Sequence, residues 1–310
     1  MAEIASFAKP ILVFSGGEPL LRADIYELAS YAAQTGLRPA LATNAALITR
    51  EVASRLKECG VKLIAVSVYG SSAETHDGFC GMAGAFEKTL RGIRNIRKAG
   101  LALQINTTVT KQNLDELVMI GKLALREGAR SYHPFFLVPT GRGKAMTGDE
   151  ISPWEHEEAF ERLYELELSI PLRIKVTCAP HYYRVLAQRR GQDDGSSSAR
   201  KGCLAGQSVC FISYKGEVFG CGYLPVAAGD LRKKDFRTIW YESELFRDLR
   251  DDSILEGKCG VCEFRKLCGG CRARAYASTG DYLQEEPECV YQPIRLRSGL
   301  IVSDHSIRHE

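Results

Sequence analysis

Two stretches carry residue types and spacings that do chemistry. The first is Cys259-Gly-Val-Cys262 followed by Cys268-Gly-Gly-Cys271, with Cys289 farther on. No hydrophobic periodicity runs between these thiols, so core packing does not account for them. Thiolates are soft anionic donors that suit zinc or an iron-sulfur cluster, and a short Cys-x-x-Cys loop lets two sulfurs converge on one centre. A structural zinc site is the plain alternative, but zinc ribbons separate their two Cys pairs by more residues, which favours iron-sulfur. The second stretch is Ser15-Gly16-Gly17-Glu18-Pro19, between an apolar run and a helix-period segment. The glycines let backbone approach a ligand, the glutamate offers an ammonium an anionic acceptor, and the proline stiffens the exit. A tight turn needing glycine for its own sake is the competing reading. The string is neither a P-loop nor a dinucleotide fingerprint.

These stretches need elements to hold them. Apolar runs at residues 11–14, 37–43, 62–68, 101–109 and 132–138 alternate with helix-period segments at 24–35, 49–59, 85–99 and 113–128. Alternation at this spacing predicts parallel strands with right-handed crossovers, an α/β sheet or barrel. Residues 15–18, Thr43-Asn44, Ser67 and Asn106 then fall toward the C-terminal ends of strands, the edge where such folds bind ligands. Residues 1–9 read as the tail of a helix that feeds the first strand. Ser152 caps a helix running to about residue 168, and residues 174–176 suggest another strand. Residues 211–213 and 217–219 flank a hairpin turn, and a helix spans about 236–249.

With 310 residues, 45% hydrophobic and 25% charged, the composition is that of a globular chain with a real core. A net charge of +3 argues against nucleic acid, and no apolar run reaches the roughly 18 residues of a membrane span, so a cytoplasmic location is expected. Eleven cysteines in such a compartment read as ligands more readily than as disulfides, and most follow Gly202. The expected domains are residues 1–150, a connecting helix and linker at 151–200, a cysteine module at 201–295 and a tail at 296–310.

Gly16-Gly17-Glu18-Pro19 after a strand, Thr43-Asn44 and Ser67 ending the next two, and the cysteine module together resemble the radical S-adenosylmethionine (AdoMet) enzymes with a SPASM or twitch extension. The resemblance covers nearly the whole chain. It implies a partial (β/α)6 barrel, here without its first βα unit, plus a small iron-sulfur domain. It implies that Gly16, Gly17, Glu18 and Pro19 bind the methionine amino group of AdoMet, with Thr43, Asn44, Ser67 and Asn106 nearby. Cys203-x12-Gly216-x4-Cys221 and the later cysteines follow the SPASM pattern, except that the last internal gap is two residues rather than three. By resemblance Cys259, Cys262, Cys268 and Cys289 hold one auxiliary 4Fe-4S cluster, and Cys203, Cys210, Cys221 and Cys271 another, although some relatives keep only one.

The strings at 135–143, 177–182 and 268–276 resemble the branch of that family that makes heme by the alternative route, most of all its heme b synthases. That implies oxidative decarboxylation of two propionates of iron-coproporphyrin III to vinyl groups, started by a 5′-deoxyadenosyl radical, with an electron donor or acceptor protein as partner. Arg142 and Arg184 would meet propionates and His181 the porphyrin iron. Sibling functions are didecarboxysiroheme deacetylation, heme d1 formation and SPASM peptide maturation. A non-catalytic iron-sulfur protein is the alternative of another class. The family's Cys-x3-Cys-x2-Cys loop does not occur in the sequence, so the radical-generating cluster is expected to be supplied by residues upstream of Met1. Cys59 and Cys80 read as packing or surface residues, and Cys178 stands open.

Overall fold

The computed structural model describes residues 1–191 and 202–297, apart from the side chain of Arg142. The linker expected before Arg200 and most of the expected tail lie outside the described residues. Six strands, β1 (Ile11–Phe14), β2 (Arg38–Thr43), β3 (Leu63–Ser67), β4 (Ala102–Val109), β5 (Ser131–Phe136) and β6 (Arg173–Ile174), form one sheet in sequential order, every pair parallel. Sequential parallel order requires each crossover to return over the same face, which α2 (Ile25–Gln34), α3 (Arg50–Glu58), α5 (Ala85–Lys98), α6 (Leu117–Arg126) and α7 (Pro153–Ser169) provide. α1 (Ala2–Phe7) precedes the sheet.

Alternation along β4 shows how the two faces divide. Leu103, Ile105, Thr107 and Val109 are buried, while Gln104, Asn106 and Thr108 point to the opposite, less covered face. On α5, Phe86, Leu90, Ile93 and Ile96 recur at helical spacing and close over the sheet in the main core. α7 starts on a full capping box, Ser152 accepting from Glu155 N while the Glu155 carboxylate accepts from Ser152 N.

After α8 (Tyr182–Arg190) comes the smaller unit. β7 (Phe211–Ile212), β8 (Glu217–Phe219) and β9 (Ala227–Asp230) make an antiparallel sheet over a second core containing Val218, Phe236, Ile239 and Phe246. The sequence shows the hairpin but not β9, too short and glycine-bearing to carry a strand signal. The helix expected at about 236–249 is two helices, α9 (Phe236–Glu242) and α10 (Glu244–Asp248), because Ser243 is extended at φ −61°, ψ 132°. α11 (Gly257–Val261), α12 (Arg272–Thr279) and α13 (Ile294–Arg297) complete it. α4 (Ala73–Cys80) was not legible, since Gly78 and His76 break its periodicity.

The units are tied together. α1 packs on α9, with Phe7 and Phe236 rings 6.1 Å apart and Glu3 accepting from Arg237 N at 3.0 Å. Arg274 on α12 donates to the carbonyl of Leu137, just past β5, at 3.0 Å. No helix among the described residues is long and apolar enough to cross a membrane.

Candidate functional site

At the C-terminal edge of β1 and β2 the expected AdoMet residues come together. Glu18 caps the short 3-10 helix Pro19–Leu21, accepting from Leu20 N at 3.2 Å. Its carboxylate also accepts from Thr43 Oγ1 at 2.8 Å and from Asn44 N at 3.0 Å. The glutamate therefore clamps one strand-end loop to the next, a job its residue type did not reveal. Thr43 Oγ1 in turn accepts from Ala45 N at 3.0 Å, and Asn44 Oδ1 accepts from Ala46 N at 2.9 Å. Gly16 stands at φ +144°, and a Cβ added at Gly16 or Gly17 would meet no atom within 4 Å. No protein neighbour requires those glycines to be bare. The space over them is a cradle that side chains would fill, which fits an AdoMet amino acid moiety.

Ser67 and Asn106 lie opposite each other in the β3–β4 register, on the open face. Asn106 Oδ1 accepts from Gln104 Nε2 at 2.8 Å, and the Ser67 hydroxyl makes no hydrogen bond among the described residues. The same row continues to His133 on β5 and on to Lys175 just past β6. Burial, with Lys175 and Arg173 beside it, lowers His133 to about 3, so the ring is neutral. Lys175 is lowered by burial and by Arg173. Neither Lys175 nor Arg173 makes a side-chain hydrogen bond or ion pair among the described residues. Sequence reasoning passed over all three. Their signal was alternation along residues 131–135 and 173–177, which puts them on the Asn106 face.

The cysteines fall into two sets. Cys259, Cys262, Cys268 and Cys289 line one cavity. Glu286 N donates to Cys259 Sγ at 3.3 Å and Gly270 N to Cys268 Sγ at 3.4 Å. Gly270 has φ +61°, and a Cβ there would stand 2.3 Å from Arg272 Nη2 and 3.3 Å from Cys259 Sγ, so only glycine lets the loop close on the thiols. Burial raises Cys268 well above the ordinary thiol value and lifts Cys289 to about 11. Thiols held neutral by burial and ringed by N–H donors suit a cationic iron-sulfur core that draws them into the thiolate form. Among the described residues, no three His, Cys, Asp or Glu side chains converge as they would around one metal ion.

The second expected set, Cys203, Cys210, Cys221 and Cys271, gathers at the second core with Cys178 as a further neighbour. Burial raises Cys178 far above the usual value, with Cys271, Cys221 and Cys203 adding to it. Burial lifts Cys271 to about 12, with Cys203 and Cys221 again contributing. Burial alone lifts Cys210 to about 11. Cys178 packs against the same second core as Cys203, Cys210, Cys221 and Cys271, and its charge interactions run to Cys203, Cys221 and Cys271. Cys178 also holds φ +60°, one of two non-glycine residues at positive φ among the described residues; the other is Ala45, in the Glu18-clamped loop. Strained backbone of about 1–3 kcal/mol persists at ligand clamps; one instance falls beside the Glu18 cradle and the other beside the cysteines of the second core. Cys59 packs against the main core and Cys80 is exposed, as expected.

Two of the substrate residues expected from the sequence, Arg184 and His181, are buried. Arg184 is buried and paired with Glu157, with Gln188 Oε1 accepting at 2.9 Å, so its charge is spent inside the fold. His181 is wholly buried beside Phe160 and lines the Cys259–Cys289 cavity. The side chain of Arg142 lies outside the described residues. Arg274 and Glu286 form a buried ion pair at 3.2 Å, and Glu286 also accepts from Cys271 N at 2.6 Å. Burial works to lower the Arg274 guanidinium, but Glu286, Cys271 and Cys178 raise it on balance.

Residues 1–124 match the radical SAM superfamily, and residues 203–271 match SPASM, an iron-sulfur cluster-binding domain. A structure of native anSMEcpe with bound AdoMet superposes at TM-score 0.68 over 93% of this chain and 82% of that one, at 18% identity, which bears on the fold. The chain belongs to the radical SAM superfamily, in its SPASM-bearing branch, and AdoMet and 4Fe-4S clusters are the cofactors of that branch. Within it, the chain is 51% identical to the AdoMet-dependent heme synthase of Methanosarcina barkeri, over 94% of this chain and 85% of the relative. It is 32% identical to the Fe-coproporphyrin III synthase of the same organism, over 93% of this chain and 77% of the relative.

Proposed function

We propose that this chain provides the AdoMet cradle, the cysteine module and the substrate face of an enzyme that converts iron-coproporphyrin III to heme b by oxidative decarboxylation. The observation that carries this reading is the gap between 51% and 32% identity to two synthases of one organism, the higher figure to the one named for heme. Turning each propionate into a vinyl group removes one hydrogen atom, one carbon dioxide and one electron. When bound, AdoMet and the clusters supply hydrogen-atom abstraction and electron acceptance; an external electron-transfer protein completes the circuit.

The remaining roles belong to residues of this chain. Backbone at Gly16 and Gly17 receives the AdoMet ammonium, while Glu18, pinned by Thr43 and Asn44, fixes the cradle. Ser67 and Asn106 face the nucleoside side. Cys259, Cys262, Cys268 and Cys289 hold one 4Fe-4S cluster, and Cys178, Cys203, Cys221 and Cys271 the other. Lys175 and Arg173, with no side-chain partner among the described residues and beside neutral His133, contribute to carboxylate recognition. Titration with iron-coproporphyrin III, followed at the Soret band, tests the reading. Saturable binding is expected, weakened about tenfold in Lys175→Ala, or about 1.4 kcal/mol. A flat titration contradicts it.

A further inference from the structure

His181 has no exposed surface, and neither Nδ1 nor Nε2 has a hydrogen-bond partner among the described residues. Leaving such a group unsatisfied costs about 1–3 kcal/mol, which a fold retains only if something outside the polypeptide accepts the bond. Two sides of the ring are closed by aromatic neighbours, Phe160 at 4.8 Å edge-on and His156 at 5.4 Å. The ring also lines the cavity bounded by Cys259, Cys262, Cys268 and Cys289. Burial, reinforced by His156, Arg274, Arg184 and Lys258, keeps the ring neutral, leaving it one N–H to give. The cavity's carboxylate, Glu286, is already engaged by Arg274 and Cys271 N, which leaves the sulfur atoms as side-chain acceptors. Backbone N–H groups of Glu286 and Gly270 already serve Cys259 and Cys268 there.

We infer that His181 is a positioning residue whose ring N–H donates to a sulfur of the cluster held by Cys259, Cys262, Cys268 and Cys289, and so raises that cluster's reduction potential. The inference rests on the cluster reading of these four cysteines. Reduction adds negative charge to the cluster, so a hydrogen bond to sulfur stabilises the reduced form more than the oxidised one. An imidazole facing this cavity is thus placed to help the cluster accept an electron.

The test uses the anaerobically reconstituted chain, with iron and sulfide assayed before an electron paramagnetic resonance redox titration. His181→Leu should move one of the two cluster potentials to more negative values and leave the other in place, at unchanged iron content. His181→Gln, which keeps a donor, should restore much of the shift. Pulsed resonance on wild-type chain labelled with 15N-histidine should show a histidine nitrogen coupled to one reduced cluster, a readout that survives if the leucine variant fails to fold. Unchanged potentials at full iron content, or no histidine coupling, overturn the inference. A wild-type chain that takes up no iron overturns the cluster reading beneath it.

Discussion

The cradle at the ends of β1 and β2 and the cysteine module both hold polar groups in place for a small cofactor, by different means. In the cradle, Thr43 and Asn44 are carried by a six-stranded sheet whose core runs from Ile25 to Leu186, and the loops need only three donors on Glu18 to lock. The module has three strands of two to four residues, short helices and a much smaller core. Its cysteines are placed by backbone donors to sulfur and by the buried Arg274–Glu286 pair. A sheet fixes geometry through register with or without a ligand. A loop module of this size leans on what it binds, because the free energy of binding becomes free energy of folding.

The largest expected effect follows from that difference. Removing iron with a chelator should abolish amide-exchange protection at Val218 and Phe246 in the module while Ile64 and Ile105 in the sheet keep theirs, a loss on the order of 10 kcal/mol if the clusters behave as other structural metal sites do. Equal loss in both regions would erase the distinction. Next comes the ion pair. Arg274→Met leaves Glu286 buried without a counter-charge and should cost about 3–5 kcal/mol in denaturant unfolding, whereas Arg274→Met with Glu286→Leu should recover most of it.

Acid sharpens the comparison from the barrel side. His133 and His156 have folded values lowered to about 3 and about 4, burial being the first cause in both. Between those values and about 6.5 the unfolded chain binds protons that the folded chain refuses. Their contribution is full above about pH 6.5 and falls as the pH drops, by up to about 1.4 kcal/mol per pH unit for each group. Unfolding free energies from pH 7 to pH 5 should show that slope, and His133→Gln should flatten it. The smallest effect is Thr43→Val, which removes one hydroxyl from the Glu18 clamp. It should cost about 1 kcal/mol of stability and weaken AdoMet binding measured by calorimetry.

The sheet could be read from sequence because β-branched and aliphatic runs recur at crossover spacing, and the observed β1 coincides with the expected run at 11–14. The Gly16–Pro19 turn was legible for the same reason, since it sits where such a run ends. The cysteine spacing exposed the later set, but not the allotment of the earlier one. Cys178 lies well upstream of the other thiols, and what sets it apart from Cys210 is a positive φ and its electrostatic company, neither visible in a string. The buried surroundings of Arg184 and His181 were not legible because a charge or an imidazole gives no sign in sequence of whether Glu157 or a buried cavity awaits it. Lys175 and His133 carry no motif, and only the two-residue period of β5 and β6 puts them on the open face of the sheet.

The central claim, that the module holds two four-cysteine clusters and that Cys178 belongs to one, can be tested by counting iron. After anaerobic reconstitution the wild-type chain and Cys210→Ala should each bind about eight iron and eight sulfide, and Cys178→Ala about four of each, as two four-iron clusters require. A chain in which Cys210→Ala loses four iron while Cys178→Ala keeps all eight would contradict the account.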